Sequence, residues 1–293
     1  MLRITARQLE AFSAIARYGN LTDASAALGL TKGALSQSLK LLEQHLGTLL
    51  FERIHPYLKL NSEGQAIRAQ VDDLLSQLQV LEGTFVRGGV QGQLRLGASQ
   101  TIGNYLMPGL MAFCQRQGMP MADMHIANTH SLASMLQNAE LDVALVEGVC
   151  AEADLEQLPW FEDKMLLITS TKHPLANQYI DFEALNNQSW VLREQASGSR
   201  QQFNQRLYPR LSDVAQIHEL NSLEAIVSAV AADLGISFIS ELAIRHQPDI
   251  ATVTLPETFA RPLTMVWRKG KYQSPVFKQF VRLAREYVEP AAE

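Results

Sequence analysis

Cysteine is nearly absent from this 293-residue chain, with only Cys114 and Cys150 present, which excludes a disulfide scaffold and a cysteine-rich zinc site. Histidine is sparse too: none of the seven forms a close-spaced pair of metal-ligating geometry, and His125 and His130 lie five apart. No uninterrupted apolar run approaches the ~20 residues of a membrane span. Residues 1–10 carry neither a long apolar core nor a small-residue cleavage site, so no signal peptide is expected there. Gly-x-Ser-x-Gly, Gly-x-Gly-x-x-Gly, Walker-type and His-Glu-x-x-His patterns are also missing. There are no internal repeats or low-complexity tracts. These absences lead to the expectation of a soluble, cytoplasmic, non-catalytic protein with no metal and no cofactor.

What is present is an ordinary globular composition, 47% apolar and 19% charged, with a net charge of −5. That charge is unevenly spread. Residues 1–60 hold seven Lys/Arg against four acids, so the head is +3 and the remainder −8. A basic head on an acidic body suits a chain of which one end meets phosphate.

The most informative stretch is 20–53, which reads as two short helices joined by a tight turn. Thr22 or Asp23 is expected to cap the first, with Ala24, Ala27 and Leu28 on one face. Gly29 supplies a turn that favours positive φ. Thr31 caps the second helix, whose Leu35, Leu39 and Leu42 recur at spacings of four and three. Its outer face keeps Lys32, Gly33, Ser36, Gln37 and Lys40, small or polar groups suited to base edges and phosphates. An earlier helix over 5–18 turns Leu9, Phe12, Ile15 and Ala16 inward, and 57–61 alternates like one short strand, a wing flanked by Arg53 and Lys59. An ordinary helical hairpin has the same local geometry, so spacing alone leaves both readings open.

A resemblance separates them. Leu21, Thr22, Ala26, Ala27, Leu28, Ala34, Leu35, Ser36, Leu39, Lys40, Leu42, Glu43, Leu46, Gly47, Leu50, Phe51 and Arg53 follow, in order and at fixed spacing, the pattern of LysR-type transcriptional regulators. Where that family often has Gln-Pro or Gln-Ser, this chain has Lys32-Gly33. The resemblance implies an all-α winged helix-turn-helix head, a long linker helix, and a two-lobed α/β effector-binding domain like a periplasmic binding protein. Its partners would be double-stranded operator DNA, a small-molecule effector, RNA polymerase, and further copies of itself, commonly a tetramer of two linked dimers.

From Ser62 the pattern changes. Ile67, Val71, Leu74, Leu78, Leu81 and Phe85 recur at spacings of four and three, a heptad seam that calls for a partner helix and hence a dimer. Packing of that seam against the protein's own body is the alternative. Gly83 and the Gly88-Gly89…Gly92 segment are expected to end the helix and form a hinge. This divides the chain into a DNA-binding head (1–61), a linker (62–89) and an effector domain (90–293). By the resemblance, lobe I covers 90–160 and 266–293 and lobe II 161–265.

The effector domain alternates strands (94–98, 122–128, 143–146, 166–169, 190–193, 217–220, 236–239, 252–255, 263–267) with helices (about 103–116, 131–139, 199–207, 223–232, 274–288). In such sheets ligands gather beyond the carboxyl ends of strands, at helix N-termini. The turns expected there hold Ser99, Gln100 and Thr101; Asn128 and Thr129; Glu147; Ser197, Gly198, Ser199 and Arg200; and Asn221 and Ser222. Each hydroxyl taken singly serves equally as a helix cap; several turns opening on one cleft favour a polar binding site, with Arg200 as its nearby cation. The segments 97–108, 145–148 and 190–200 resemble the branch of the family with regulators of carbon dioxide fixation and a sulfite-responsive regulator, which implies a small oxyanion such as sulfite, or a phosphorylated metabolite, as effector. Glu147 would oppose an anion unless it pairs with Arg200 or Arg193. A thiol-based redox sensor is a further reading, but Cys114 falls on the apolar face of Leu106, Leu110 and Phe113, and Cys150 lies beside Glu147 and Glu152. A two-lobed α/β enzyme is the remaining alternative, with no catalytic motif to support it.

Overall fold

The computed structural model describes residues 3–54, 57–83, 93–195 and 197–287. The head begins with α1 (Ala6–Tyr18), whose N-cap Thr5 forms a reciprocal capping box with Gln8. Helix α2 (Leu21–Ala27) is capped by Asn20, whose side-chain oxygen accepts from the Asp23 amide at 2.9 Å. The cap is therefore neither Thr22 nor Asp23. Asn20 has extended φ/ψ and a short acceptor, so Thr22 and Asp23 fall inside the first turn. Thr31 caps α3 (Lys32–Leu46) as expected, and Gly29 takes a φ of +64° between the two helices. Phe12, Ile15, Ala24, Leu35 and Leu42 are fully buried together; Ala27 stays at the surface.

The wing is a hairpin of two antiparallel strands, β1 (Phe51–Ile54) and β2 (Tyr57–Leu60), rather than one. Only Phe51 of β1 is buried, which leaves too little alternation to reveal the strand in sequence. Helix α4 (Ser62–Gly83) follows. Its expected seam divides. Val71 is buried in the head core with Ile67 and Leu75 beside it, whereas Leu74, Leu78 and Leu81 are 49%, 36% and 64% exposed. The first two seam positions thus serve the protein's own head, because α4 leaves the wing directly across α1. Phe85 and the Gly88–Gly92 hinge lie outside the described residues.

Beyond its apolar start, α4 meets the effector domain through charge. Asp72 takes Ser13 from α1 at 3.0 Å and Arg95 at 3.2 Å. Asp73 takes Arg268 at 3.0 Å. Arg68 faces Glu140 at 3.3 Å, and Gln65 bonds Asn138. Arg95 also grips Asp142, which holds Lys271 at 2.8 Å. Burial raises the Asp142 carboxyl, but Arg95 and Lys271 outweigh it and hold it well below the usual range. Arg17 of α1 adds a pair to Asp123 at 2.5 Å.

The effector domain carries a seven-stranded sheet in the order β10-β6-β11-β5-β3-β4, with β9 paired to β6. Its strands are β3 (Arg95–Ala98), β4 (Asp123–Ile126), β5 (Val143–Glu147), β6 (Leu155–Ser170), β9 (Ser237–Ser240), β10 (Ile250–Val253) and β11 (Phe259–Arg268). A separate parallel pair joins β7 (Ser189–Arg193) to β8 (Gln216–Leu220). The longest strands, β6 and β11, lie antiparallel and run through both lobes. Sequence alternation anticipated only 166–169 and 263–267, since Pro159, Glu162, Asp163 and Arg261 interrupt the apolar pattern. Helices α5 (Met107–Arg116), α6 (Thr129–Gln137), α7 (Gly198–Gln202), α8 (Leu223–Ala231) and α9 (Pro275–Glu286) cover the strands. One lobe centres on Leu96, Leu110, Leu145, Met265 and Phe280, the other on Trp190, Phe203 and Phe238 with Ile226 and Val230 behind. Among the described residues no helix is long and apolar enough to cross a membrane.

The junction between wing and α4 is tight at one point. A Cβ on Gly64 would collide with the Leu50 carbonyl oxygen, whereas one on Gly33 would meet nothing within 4 Å. Gly64→Ala is expected to destabilise the head by roughly 1–3 kcal/mol. Gly33→Ala should instead gain about 0.5–1 kcal/mol from helix propensity. Urea unfolding of the two variants checks the opposite signs.

Candidate functional site

The outer face of α3 presents Lys32, Gly33, Gln37 and Lys40 to solvent and leaves Ser36 half-buried. Thr31 is exposed but its hydroxyl accepts from the Ala34 amide at 3.2 Å, so it is engaged as a cap. Thr22 is exposed on α2. Arg53 and Lys59 stand on opposite strands of the wing, both exposed, with Lys59 directly across from Glu52. The DNA-facing residues expected from the sequence therefore lie on three features, the start of α2, the outer face of α3 with its cap, and the wing hairpin, with Ser36 the least exposed of them.

Of the turns the sequence singled out, those holding Gln100 and Thr101, Glu147, Gly198 and Ser199, and Asn221 meet between the lobes, while other side chains of the set serve as helix caps. Asn128 caps α6 through the Ser131 amide at 2.8 Å, and Ser197 caps α7 through the Arg200 amide at 3.1 Å. Ser222 caps α8 and donates to Glu224 at 2.7 Å. The lobes touch along one edge. Gln100 donates to the Asn221 carbonyl at 3.0 Å, and Glu224 accepts from Asn104 at 2.7 Å and from Tyr105. Burial, with Glu224 beside it, pushes the Tyr105 phenol up to about 12. Deeper in, Gly198 lies so close to Glu147 that a Cβ would meet its Cβ at 2.7 Å. A bulkier residue there would hold the lobes apart.

At the centre is a residue the sequence reading missed. Arg261, on β11, has a side chain with 0% exposure. Its Nη1 donates to Glu147 at 2.8 Å and to the Ser199 hydroxyl at 3.1 Å. Nε donates to Asp163, its partner across β6, at 2.8 Å. Nη2 donates to the Thr101 hydroxyl at 3.2 Å, and the Thr101 amide donates to Glu147 at 3.1 Å. One guanidinium thus joins Thr101 and Glu147 of one lobe to Ser199 of the other. The available signal was a charge at an inward strand position, followed by Pro262, where the chain reads Phe-Ala-Arg-Pro-Leu.

Two expectations are corrected here. Arg200 is not the cleft's cation: it is buried and turned back on the Arg193 carbonyl at 3.0 Å and Glu219 at 3.3 Å. Glu147 pairs with neither Arg200 nor Arg193 but with Arg261; Arg193 forms a two-bond pair with Glu194, each bond 2.8 Å. Burial raises the Glu147 carboxyl, yet Arg261 and the Thr101 donors outweigh it and leave it below the usual carboxylate range. For Asp163 burial wins, and its carboxyl lies above that range despite Arg261 and Ser240. Ser99 Oγ and Thr129 Oγ1, in the turns after β3 and β4, are buried without a protein partner. Cys114 and Cys150 are both buried, their thiols pushed up to about 11 by burial and, for Cys150, by Glu152. Neither is poised as a thiolate.

A winged helix-turn-helix head joined by a long helix to a two-lobed, hydroxyl-lined domain defines a DNA-binding regulator with an effector-binding body. Residues 6–65 match the bacterial regulatory helix-turn-helix protein, lysR family, and residues 87–289 match the LysR substrate binding domain. The chain belongs to the LysR family of transcriptional regulators. It is 31% identical to the HTH-type transcriptional regulator YeiE of Escherichia coli (strain K12), over 99% of each chain. It is 30% identical to the RuBisCO operon transcriptional regulator of Allochromatium vinosum, over 96% of each. Among solved structures, a full-length OxyR variant from Pseudomonas aeruginosa superposes with a TM-score of 0.80 at 26% identity, covering 97% of this chain and 96% of that one.

Removing the guanidinium leaves two buried carboxylates without a counter-charge, at a cost of roughly 3–5 kcal/mol. In the wild type, the stability contributed by Glu147 is lost as pH falls through its lowered value. That tied to protonated Asp163 is lost as pH rises through its raised one. In Arg261→Met both carboxyls favour the proton. The deficit in melting temperature is therefore expected to be largest near pH 8 and to shrink towards pH 5, as thermal unfolding across that range will read.

Proposed function

We propose that this LysR-type regulator reads its operator as a dimer joined through the exposed Leu74–Leu78–Leu81 face of α4, two such dimers forming a tetramer. In each head α3 enters the major groove, with Lys32, Ser36 and Gln37 towards bases and Lys40, Arg53 and Lys59 on phosphates. Its body responds to a small oxyanion such as sulfite, and RNA polymerase is the partner to which the change is passed. The observation that carries the effector reading is the cluster of hydroxyls around one buried guanidinium, with Ser99 Oγ buried and unpartnered at its edge. Such donors recognise compact, multiply accepting anions. Because the lobes meet across this cluster, an anion that bridges them changes the equilibrium between lobe arrangements by its differential affinity for each. The body in turn grips α4 through Arg95 and Arg268, so the change reaches the heads.

Titrating sulfite, sulfate, phosphate and small carboxylates by calorimetry against wild type, Thr101→Val and Glu147→Gln tests the effector reading. At least one anion is expected to bind wild type, more tightly to Glu147→Gln, and several-fold more weakly to Thr101→Val, which loses a hydrogen-bonding hydroxyl. Binding of none to any of the three refutes it. On DNA, Gln37→Ala is expected to cost roughly 1–3 kcal/mol at one base pair. Arg53→Ala should weaken all sequences alike and flatten the salt dependence. A change in selectivity with an unaltered salt slope for Arg53→Ala would reverse these roles.

A further inference from the structure

The charge in the inter-lobe cluster does not balance. Arg261 is shared by two carboxylates, and the side chains of Glu147 and Asp163 are 2% and 1% exposed. The nearest other cations bring carboxylates of their own: Arg193 with Glu194, and Arg200 with Glu219. The cluster therefore carries one negative charge in excess while every contact of Arg261 is already to protein oxygen. A further anion would add to that excess in a site closed to water, where unpaired charge is most costly.

Resting on the oxyanion reading above, we propose that the inter-lobe site takes up its anion together with one proton, and that Asp163 receives the proton. The two carboxylates differ in what their oxygens meet. Each oxygen of Glu147 faces a fixed N–H donor, the Thr101 amide at Oε1 and Arg261 at Oε2, with the Thr101 hydroxyl as a third partner, so a proton on either oxygen would be set against an N–H that cannot turn away. Asp163 directs Oδ2 at Arg261 but Oδ1 at the Ser240 hydroxyl, 2.6 Å away, which itself accepts from the Leu242 amide. A hydroxyl rotates to serve as donor or acceptor. Either form of Asp163 is thus satisfied, and with the proton on Oδ1 the guanidinium is released to serve the anion. The charged and polar neighbours of Asp163 are Arg261 from β11, Glu147 from β5 and Ser240 from β9. Of these, Glu147 favours the proton by like-charge repulsion and Arg261 opposes it. Arg193, at the end of β7, acts on Glu147. The upward displacement of the Asp163 carboxyl by burial has the same sense.

Proton coupling makes the site discriminate among anions by pH as well as by shape. The test is calorimetry of the full chain with sulfate, whose own charge is constant between about pH 5.5 and 8.5, in pairs of buffers with different ionisation enthalpies. Uptake approaching one proton per sulfate is expected near pH 8, with the dissociation constant falling up to about tenfold for each pH unit lowered and levelling off in acid. Asp163→Asn carries no titrating group, so it should bind sulfate at pH 8 as wild type does in acid, with no uptake. If only sulfite binds, the same buffers are used and sulfite's own proton is subtracted. Binding without proton uptake by wild type at pH 7–8 overturns the proposal. Failure of every anion to bind removes the oxyanion reading, and this inference with it.

Discussion

The buried guanidinium of Arg261 is the contact on which the effector domain turns. A cation enclosed by protein persists only if its hydrogen-bonding groups and its charge are answered in place. Here the answers come from four elements that are distant in sequence: Thr101 after β3, Glu147 at the end of β5, Asp163 on β6 and Ser199 in α7. Long strands β6 and β11 set Arg261 opposite Asp163 by register alone. The turns then close over the pair, and Gly198 lets α7 approach Glu147 within van der Waals reach. Lobe approach, cleft polarity and charge are consequently one arrangement, and none of them varies without the others.

A second polar contact carries this arrangement to the head. Helix α4 is anchored to the winged helix-turn-helix by Val71 and its neighbours, and to the first lobe by Asp72, Asp73 and Arg68. The division is physically apt. Apolar packing fixes the head on its helix as one rigid piece. The ion pairs join particular side chains that are largely shielded from solvent, so they hold the helix on the body in one register, with discrete alternatives rather than continuous sliding. The exposed leucines of α4 continue the face of Ile67 and Val71 past the end of the head contact, where Leu74, Leu78 and Leu81 meet solvent.

Much of the head was legible in the sequence because its local signals agree: Thr31 as cap, Gly29 at positive φ, and leucines at helical spacing all point to one hairpin. The turns around the cleft were legible as positions but not as roles, since a hydroxyl at a strand end can equally cap its own helix: Ser197 and Ser222 do so, whereas Thr101 and Ser199 meet Arg261. What escaped was long-range. Strand β1 shows one buried residue and no alternation. Strand β6 is broken in the sequence by Pro159, Glu162 and Asp163, and the last of these is explained only by its partner Arg261, far along the chain. Arg200 attracted notice by proximity in sequence to the serines, whereas Arg261, some sixty residues further on, comes to the same place through strand register. The choice between the two arginines depends on which strand faces the cleft, and no local pattern encodes that.

The central claim is that one guanidinium ties the lobes together. A double-mutant cycle between Thr101→Val and Ser199→Ala, read by thermal unfolding of the full chain, tests it most directly, because these residues come from opposite lobes and share only Arg261. A coupling energy of roughly 0.5–3 kcal/mol is predicted for groups in one hydrogen-bond network. Additivity within about 0.3 kcal/mol would show that the two lobes are held independently, and would contradict the account.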